Sequence, residues 1–189
     1  MTGTIIMALD PFSIYVLVEA VWLILPAYAA NGLAPLFKGG GLVDFGRNFI
    51  DGRPLFGKGK TFGGLFGGML AGALIGLVEM LAFPYLPWGL SDRALQILPM
   101  GPALGLALGA GAMLGDLGGA FAKRRLGMAR GRPAPILDQD DFIIGSLLAA
   151  SLLVAIRPEW WILLLVMTPA IHFAACVIGY LLGVKKEPW

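Results

Sequence analysis

The chain has 189 residues, 58% of them hydrophobic and only 14% charged, with a formal net charge of +2 and a mean hydropathy of +0.80. A soluble domain carries about 45–50% apolar and about 25% charged residues, so there is too little polar surface here to clothe a water-soluble globule. A spanning helix takes roughly 20 apolar residues, which predicts an all-α, polytopic membrane protein of about five transmembrane helices, one domain over residues 1–189.

Met1 to Leu9 contain no basic residue, so no signal peptide is expected and the first span stays in the mature protein. The first apolar run is about Pro11 to Leu36, capped by Asp10 with Pro11 behind it. Tyr28 and Asn31, near its end, are placed to face the loop that follows. That loop, about residues 37–61, holds Lys38, Arg47, Arg53, Lys58 and Lys60. The second run is about Phe62 to Leu81, with Thr61 as its cap, and the third about Ala94 to Phe121. Gly64, Gly68, Gly72 and Gly76 repeat every four residues, as do Gly101, Gly105 and Gly109. Small residues at that spacing let helix backbones approach closely in lipid.

The second loop, about residues 122–140, holds Lys123, Arg124, Arg125, Arg130 and Arg132. The fourth run, about Phe142 to Ile156, is short and needs help from neighbours or a local bilayer distortion. The fifth is about Trp160 to Gly183, and Lys185 and Lys186 follow it. Trp22, Trp88, Trp160, Trp161 and Trp189 mostly sit near span ends, as interfacial anchors do. The single Cys176 makes no internal disulfide and reads as a small packed residue. His172, the only histidine, makes no zinc site alone and reads as a packed, hydrogen-bonded side chain.

Of the 14 basic residues, only Arg93 and Arg157 lie outside the two long loops and the tail. The positive-inside rule therefore puts both loops and the C-terminus in the cytosol and the N-terminus outside, in the cell membrane.

Three polar constellations carry chemistry. The first, Asp51 to Thr61, ends in Gly59-Lys60-Thr61. Gly52 is too far from Gly59-Lys60-Thr61 for a Walker A loop, and Leu42 to Ile50 makes a poor buried strand ahead of it. What remains is a phosphate cradle at a helix N-terminus, with Lys60 for charge, or else an ordinary basic loop. The second is Gly115-Asp116 with Lys123-Arg124-Arg125; a carboxylate on an apolar helix is costly and normally faces a partner or a polar cavity. Arg125 reads equally well as a topology signal. The third is Asp138-Gln139-Asp140-Asp141, where Asp138 and Asp141 share a helix face or merely suit the helix dipole. Asp116, Asp138 and Asp141 flank one basic loop, and oxygen ligands of this kind suit Mg²⁺ bridging substrate phosphates. Gly63, Gly64, Gly115, Gly118 and Gly119 sit beside these charges and leave room for a bulky ligand.

These residues resemble the CDP-archaeol synthases, relatives of the CDP-diacylglycerol synthases, over nearly the whole chain. The resemblance rests on Leu25-Pro26-Ala27-Tyr28-Ala29-Ala30-Asn31 with Pro35, on Asp51-Gly52-Arg53 with Gly57 and Gly59-Lys60-Thr61, on Gly115-Asp116 with Lys123-Arg124-Arg125, and on Asp138-Gln139-x-Asp141. Lys123-Arg124 corresponds to the Lys-Arg pair of the wider cytidylyltransferase signature. Asp138-x-x-Asp141 corresponds to its acidic element, with Gln139 in place of Arg. A linker with a His-Gly-Gly element, typical of the diacylglycerol enzymes, is absent, which favours the shorter archaeol branch. The resemblance implies Mg-dependent transfer of CMP from CTP to 2,3-bis-O-geranylgeranylglycerol 1-phosphate, an isoprenoid lipid, giving CDP-archaeol and pyrophosphate. It implies Asp116, Asp138 and Asp141 as Mg²⁺ ligands and Lys60, Lys123 and Arg124 as phosphate ligands. Asn31 and Thr61 are expected to contact nucleotide or phosphate, and the glycine-rich faces of the second and third helices to form the prenyl groove. No nucleic-acid partner is expected.

The alternative is a small transporter or channel with Glu19, Glu79 and Asp116 along a path. No internal repeat supports it, and the polar residues gather on one face.

Overall fold

The computed structural model describes residues 13–86, 95–129 and 132–181, without the side chains of 175, 176 and 179. Asp10, Trp88, Arg93, Arg130, Lys185, Lys186 and Trp189 lie outside the described residues, as does the side chain of Cys176. Among the described residues five α-helices follow in order: α1 Ile14–Leu33, α2 Phe62–Ala82, α3 Pro102–Arg125, α4 Leu137–Ser151 and α5 Pro158–Leu181. Three segments, Ile14–Phe37, Phe62–Tyr85 and Pro102–Arg125, are long and apolar enough to cross a membrane. The stretch Pro158–Ala174 of α5 is shorter but apolar. At 15 residues, α4 is only about 22 Å long and falls short of a bilayer core of about 30 Å.

Helix α1 is the hub and touches each of the other four helices. Its buried positions Val16, Ala20, Leu23, Ala27 and Ala30 recur every three to four residues, which places them on one face. They pack with Leu104, Leu108 and Ala112 of α3, Ile143 and Leu147 of α4, and Leu164 of α5. The cap of α1 is Ser13, whose hydroxyl accepts from the Val16 amide at 3.3 Å. Thr61 caps α2 as expected, accepting from Gly64 N at 3.2 Å.

The glycine repeats bring backbones together. A Cβ on Gly72 would stand 2.7 Å from the Gly105 carbonyl oxygen and 2.8 Å from Gly109 Cα, and one on Gly105 would stand 2.5 Å from the Gly72 oxygen. Gly76 meets Gly101 and Gly105 in the same way. The α2–α3 faces are therefore closed on each other and hold no prenyl chain, contrary to expectation. Gly111, Gly115 and Gly145 make a second such contact between α3 and α4.

Two helix starts differ from the sequence reading. Residues 95–101 are not helical, and α3 begins at Pro102, in the first turn where a missing N–H costs nothing. Helix α4 begins at Leu137, because Asp138 Oδ2 accepts from the Ala134 amide at 2.9 Å and holds the first turn. Asp138 and Asp141 consequently lie inside the helix.

Trp22 and Trp160 are not interfacial anchors but core residues. Trp160 Nε1 donates to Glu19 Oε2 at 3.0 Å, and Trp22 Nε1 to the Leu98 carbonyl at 3.3 Å. Glu19 also accepts from Arg157 at 2.8 Å and from Gln96 N at 2.7 Å, so this buried carboxylate ties α1 to the start of α5. His172 is exposed on α5 rather than packed in the core.

Candidate active site

Chain direction brings one set of ends together: the end of α1, the start of α2, the end of α3 and the start of α4. The 38–61 strap between α1 and α2 covers this end. It has little regular structure, with single antiparallel bridges at Leu42–Thr61 and Asn48–Pro54. Asp44 organises it. Its carboxylate accepts from Gly46 N at 2.9 Å, Phe56 N at 3.1 Å and Gly57 N at 3.0 Å. Burial pushes the Asp44 carboxyl up, but the amides of Gly57, Gly46 and Phe56 outweigh it and hold it below its ordinary value. The signal for this residue was the Asp-x-Gly of an Asx turn; its more distant partners are backbone amides that no motif announces.

Under the strap lies a cavity of about 220 Å³, lined by Asn31, Lys38, Lys60, Thr61, Gly64 and Asp116, among others. Lys60 Nζ lies 2.6 Å from Asp116 Oδ2. A second lysine–carboxylate pair, Lys123 with Asp138, joins the end of α3 to the start of α4. Between them stands Asp141. Its carboxylate accepts from its neighbour Phe142 N at 2.6 Å, and a Cβ on Gly119 would run into it. The charges of Asp116, Asp138 and Lys123 all reach it.

The predicted residues thus converge at one end of the bundle, in two parts. Asn31, Lys60, Thr61 and Asp116 line the cavity; Lys123, Asp138 and Asp141 form the adjoining α3–α4 seam. Arg124 stands apart, its Nη2 donating to the Ala129 carbonyl at 3.4 Å. Among the described residues no three carboxylates form a ready-made metal cage. The donor set nevertheless fits a hard divalent cation, which takes one or two carboxylates and completes its shell with phosphates and water. Mutual repulsion at Asp141 is the charge environment such a cation relieves. Along the seam runs an apolar furrow of about 710 Å³ lined by Leu114, Gly118, Ile144, Leu148 and Leu152, with Asp141 as its charged residue.

The family model for CDP-archaeol synthase (CarS-like) matches residues 13–189. The chain belongs to the CDP-archaeol synthase family. Relatives carrying that name include a protein of Methanopyrus kandleri, 46% identical over 173 residues, covering 90% of this chain and 92% of the relative. Another, from Pyrobaculum arsenaticum, is 44% identical, covering 93% and 99%. A solved structure of an intramembrane enzyme for archaeal membrane lipid biosynthesis superposes with a TM-score of 0.70 at 37% identity, covering 84% of this chain and 92% of that one. As a CDP-archaeol synthase family member, the chain is a membrane enzyme of the cytidylyltransferase type, acting in archaeal lipid biosynthesis.

Proposed function

We propose that this chain transfers CMP from CTP to 2,3-bis-O-geranylgeranylglycerol 1-phosphate. A phosphate oxygen of the lipid attacks the α-phosphorus, the bond from that phosphorus to the bridging oxygen breaks, and pyrophosphate leaves. The observation that carries this reading is the meeting of two lysine–carboxylate pairs, Lys60 with Asp116 and Lys123 with Asp138, at one end of an apolar bundle. The nucleophile is already ionised near neutral pH, so no strong base is required, and catalysis reduces to positioning and charge neutralisation.

Lys60 and Lys123 take phosphate oxygens, and Arg124 turns inward to join them. Asn31 and Thr61 contact nucleotide or phosphate from the cavity wall. Asp116, Asp138 and Asp141 would hold Mg²⁺, directly or through its waters, and the ion would supply positive charge to the phosphates. The lipid enters from the cytosolic leaflet, with its prenyl chains in the α3–α4 furrow, whose apolar lining supports this placement. Both long loops face the cytosol, where the nucleotide is drawn.

Purified protein given labelled CTP, Mg²⁺ and the lipid phosphate is expected to release pyrophosphate and yield a CDP-lipid. Asp141→Asn should abolish turnover while the protein stays monodisperse, with partial recovery in Mn²⁺. Wild-type protein that makes no CDP-lipid from any isoprenoid glycerol phosphate overturns the proposal.

A further inference from the structure

Arg125 ends α3, and nothing in its role as a cytosolic positive charge explains how it is held. Its Nη2 donates to the carbonyls of Pro54 at 2.6 Å and Arg53 at 3.3 Å. Its Nε stands 3.1 Å from Asp51 Oδ2. The guanidinium lies over Phe121 at 4.6 Å and Phe49 at 4.9 Å. The strap answers in kind: Arg53 Nη1 donates to the carbonyls of Arg125 at 2.5 Å and Arg124 at 3.3 Å. The Arg124 carbonyl also accepts from Gly127 N at 3.1 Å, and Arg53 adds a side-chain cap to the end of α3. Asp51 Oδ1 accepts from Arg53 N at 3.0 Å and closes the ring of contacts.

The strap is therefore tied to α3 twice, at Lys60–Asp116 and at Asp51/Arg53–Arg125. The two ties stand nine residues apart on the helix, roughly 14 Å. They are not equivalent during the proposed reaction, on which this inference rests. Lys60 and Asp116 both change partner when nucleotide and cation arrive, so the inner tie opens as the site fills. The strap turns at Gly52 and Gly57, which have φ of +75° and +90°, and the Lys60 backbone is bonded within it, its N–H donating to the Gly57 carbonyl at 3.2 Å and its carbonyl accepting from Val43 N at 3.0 Å, so the register of the strap sets where the Lys60 side chain reaches.

We propose that Arg125, with Asp51 and Arg53, is a latch that keeps the strap in register, so that Lys60 stays over the cavity after it exchanges Asp116 for phosphate. Arg125 is a positioning residue and touches no substrate. Lysine cannot replace it, because the latch uses the planar fork of a guanidinium and its stacking face, not charge alone.

Two experiments on the full-length protein test this. Arg125→Lys and Asp51→Asn should each raise KM for CTP by about 10-fold, as loss of a charge-assisted contact does, with kcat held within about twofold. The double variant should be no worse than either single one, since both break one unit. Arg125→Lys with wild-type KM overturns the latch, because charge then suffices; a fall in kcat at unchanged KM also overturns it. For the second, spin labels replace Ile50 and Leu126, both exposed, in a Cys176→Ser background. Their distance distribution should stay narrow when CTP and Mg²⁺ are added, and should broaden under the same addition once Arg125→Lys is included. Broadening with Arg125 intact overturns the latch whatever the kinetics. Absence of CDP-lipid synthesis by wild-type protein overturns the proposed function alone, and the distance measurement then decides the latch.

Discussion

Lys123 bonds Asp138 across the end of α3 and the start of α4, and its distance from the Lys60–Asp116 pair along α3 is only seven residues, about two helical turns. Lys123→Ala should lower kcat/KM for CTP by about 10- to 150-fold, the span of one charge-assisted phosphate contact, in protein that still inserts and purifies. Normal turnover at low CTP would leave Lys123 as a topology signal and an α3–α4 tie only. Asp44 makes a separate prediction, about pH. Its folded-state pKa is depressed, so its ionised form stabilises the strap at and above the ordinary carboxylate range. That contribution is lost as pH falls through the lowered folded value, so strap protection from proteolysis should hold from neutral pH down to that range and fail below it. Asp44→Ala leaves three amides without their acceptor, at about 1–3 kcal/mol for each one that stays buried, and should expose the strap to protease at neutral pH as well. Equal protease sensitivity of wild type and variant at pH 7 would show that Asp44 does not hold the strap. The sequence made Asp116 and Lys60 visible because a carboxylate on an apolar helix and a lysine beside glycines both demand a reason. It could not pair them, since 56 residues separate the two and pairing is a property of the packed helices.

The glycine repeats were legible at the level of elements, but their consequence depends on which face meets which helix. Gly105 faces α2 backbone and Gly118 faces open space, with no atom within 4 Å of its added Cβ. Gly105→Ala should lower the melting temperature in detergent, because forced overpacking costs about 1–3 kcal/mol, whereas Gly118→Ala should leave it unchanged. Gly118→Leu goes further: it should fold normally yet fill the α3–α4 furrow, raising KM for the lipid and sparing that for CTP. Wild-type lipid kinetics in that variant would remove the furrow from the lipid's path. The same dependence on partners explains why helix starts were misplaced. The hydropathy of residues 94–101 continues that of α3, but Glu19 takes the Gln96 amide and the helix waits for Pro102. At α4 the error ran the other way, because apolarity begins at Phe142 while the helix is anchored earlier by Asp138. The tryptophans differ from expectation for a related reason: a span-end tryptophan looks the same in sequence whether it faces lipid or, like Trp160, a buried Glu19.

At the scale of the molecule, the packing gathers both long loops at one end and Arg157 with residues 95–101 at the other, joined there through Glu19. The charge distribution supplies the expectation of which end is cytosolic. Moving a dense cluster of lysines and arginines across the bilayer during insertion is disfavoured, and loops as short as these obey that bias. The end carrying Lys38, Arg47, Arg53, Lys58, Lys60, Lys123, Arg124, Arg125 and Arg132 should therefore face the cytosol, and Arg157, whose charge is compensated by its pairs with Glu19 and Glu159, should face outward. Single cysteines introduced in 37–61 and in 122–140, in a Cys176→Ser background, should react with a membrane-impermeant maleimide in inside-out vesicles and stay silent in intact cells. A cysteine at Glu159 should give the opposite pattern. Labelling of either basic loop from intact cells would separate the Lys60–Asp116 cavity from cytosolic nucleotide. Because the two loops are fastened to each other through Arg53 and Arg125, they must report the same side; a split result would contradict the fold itself, not only its orientation.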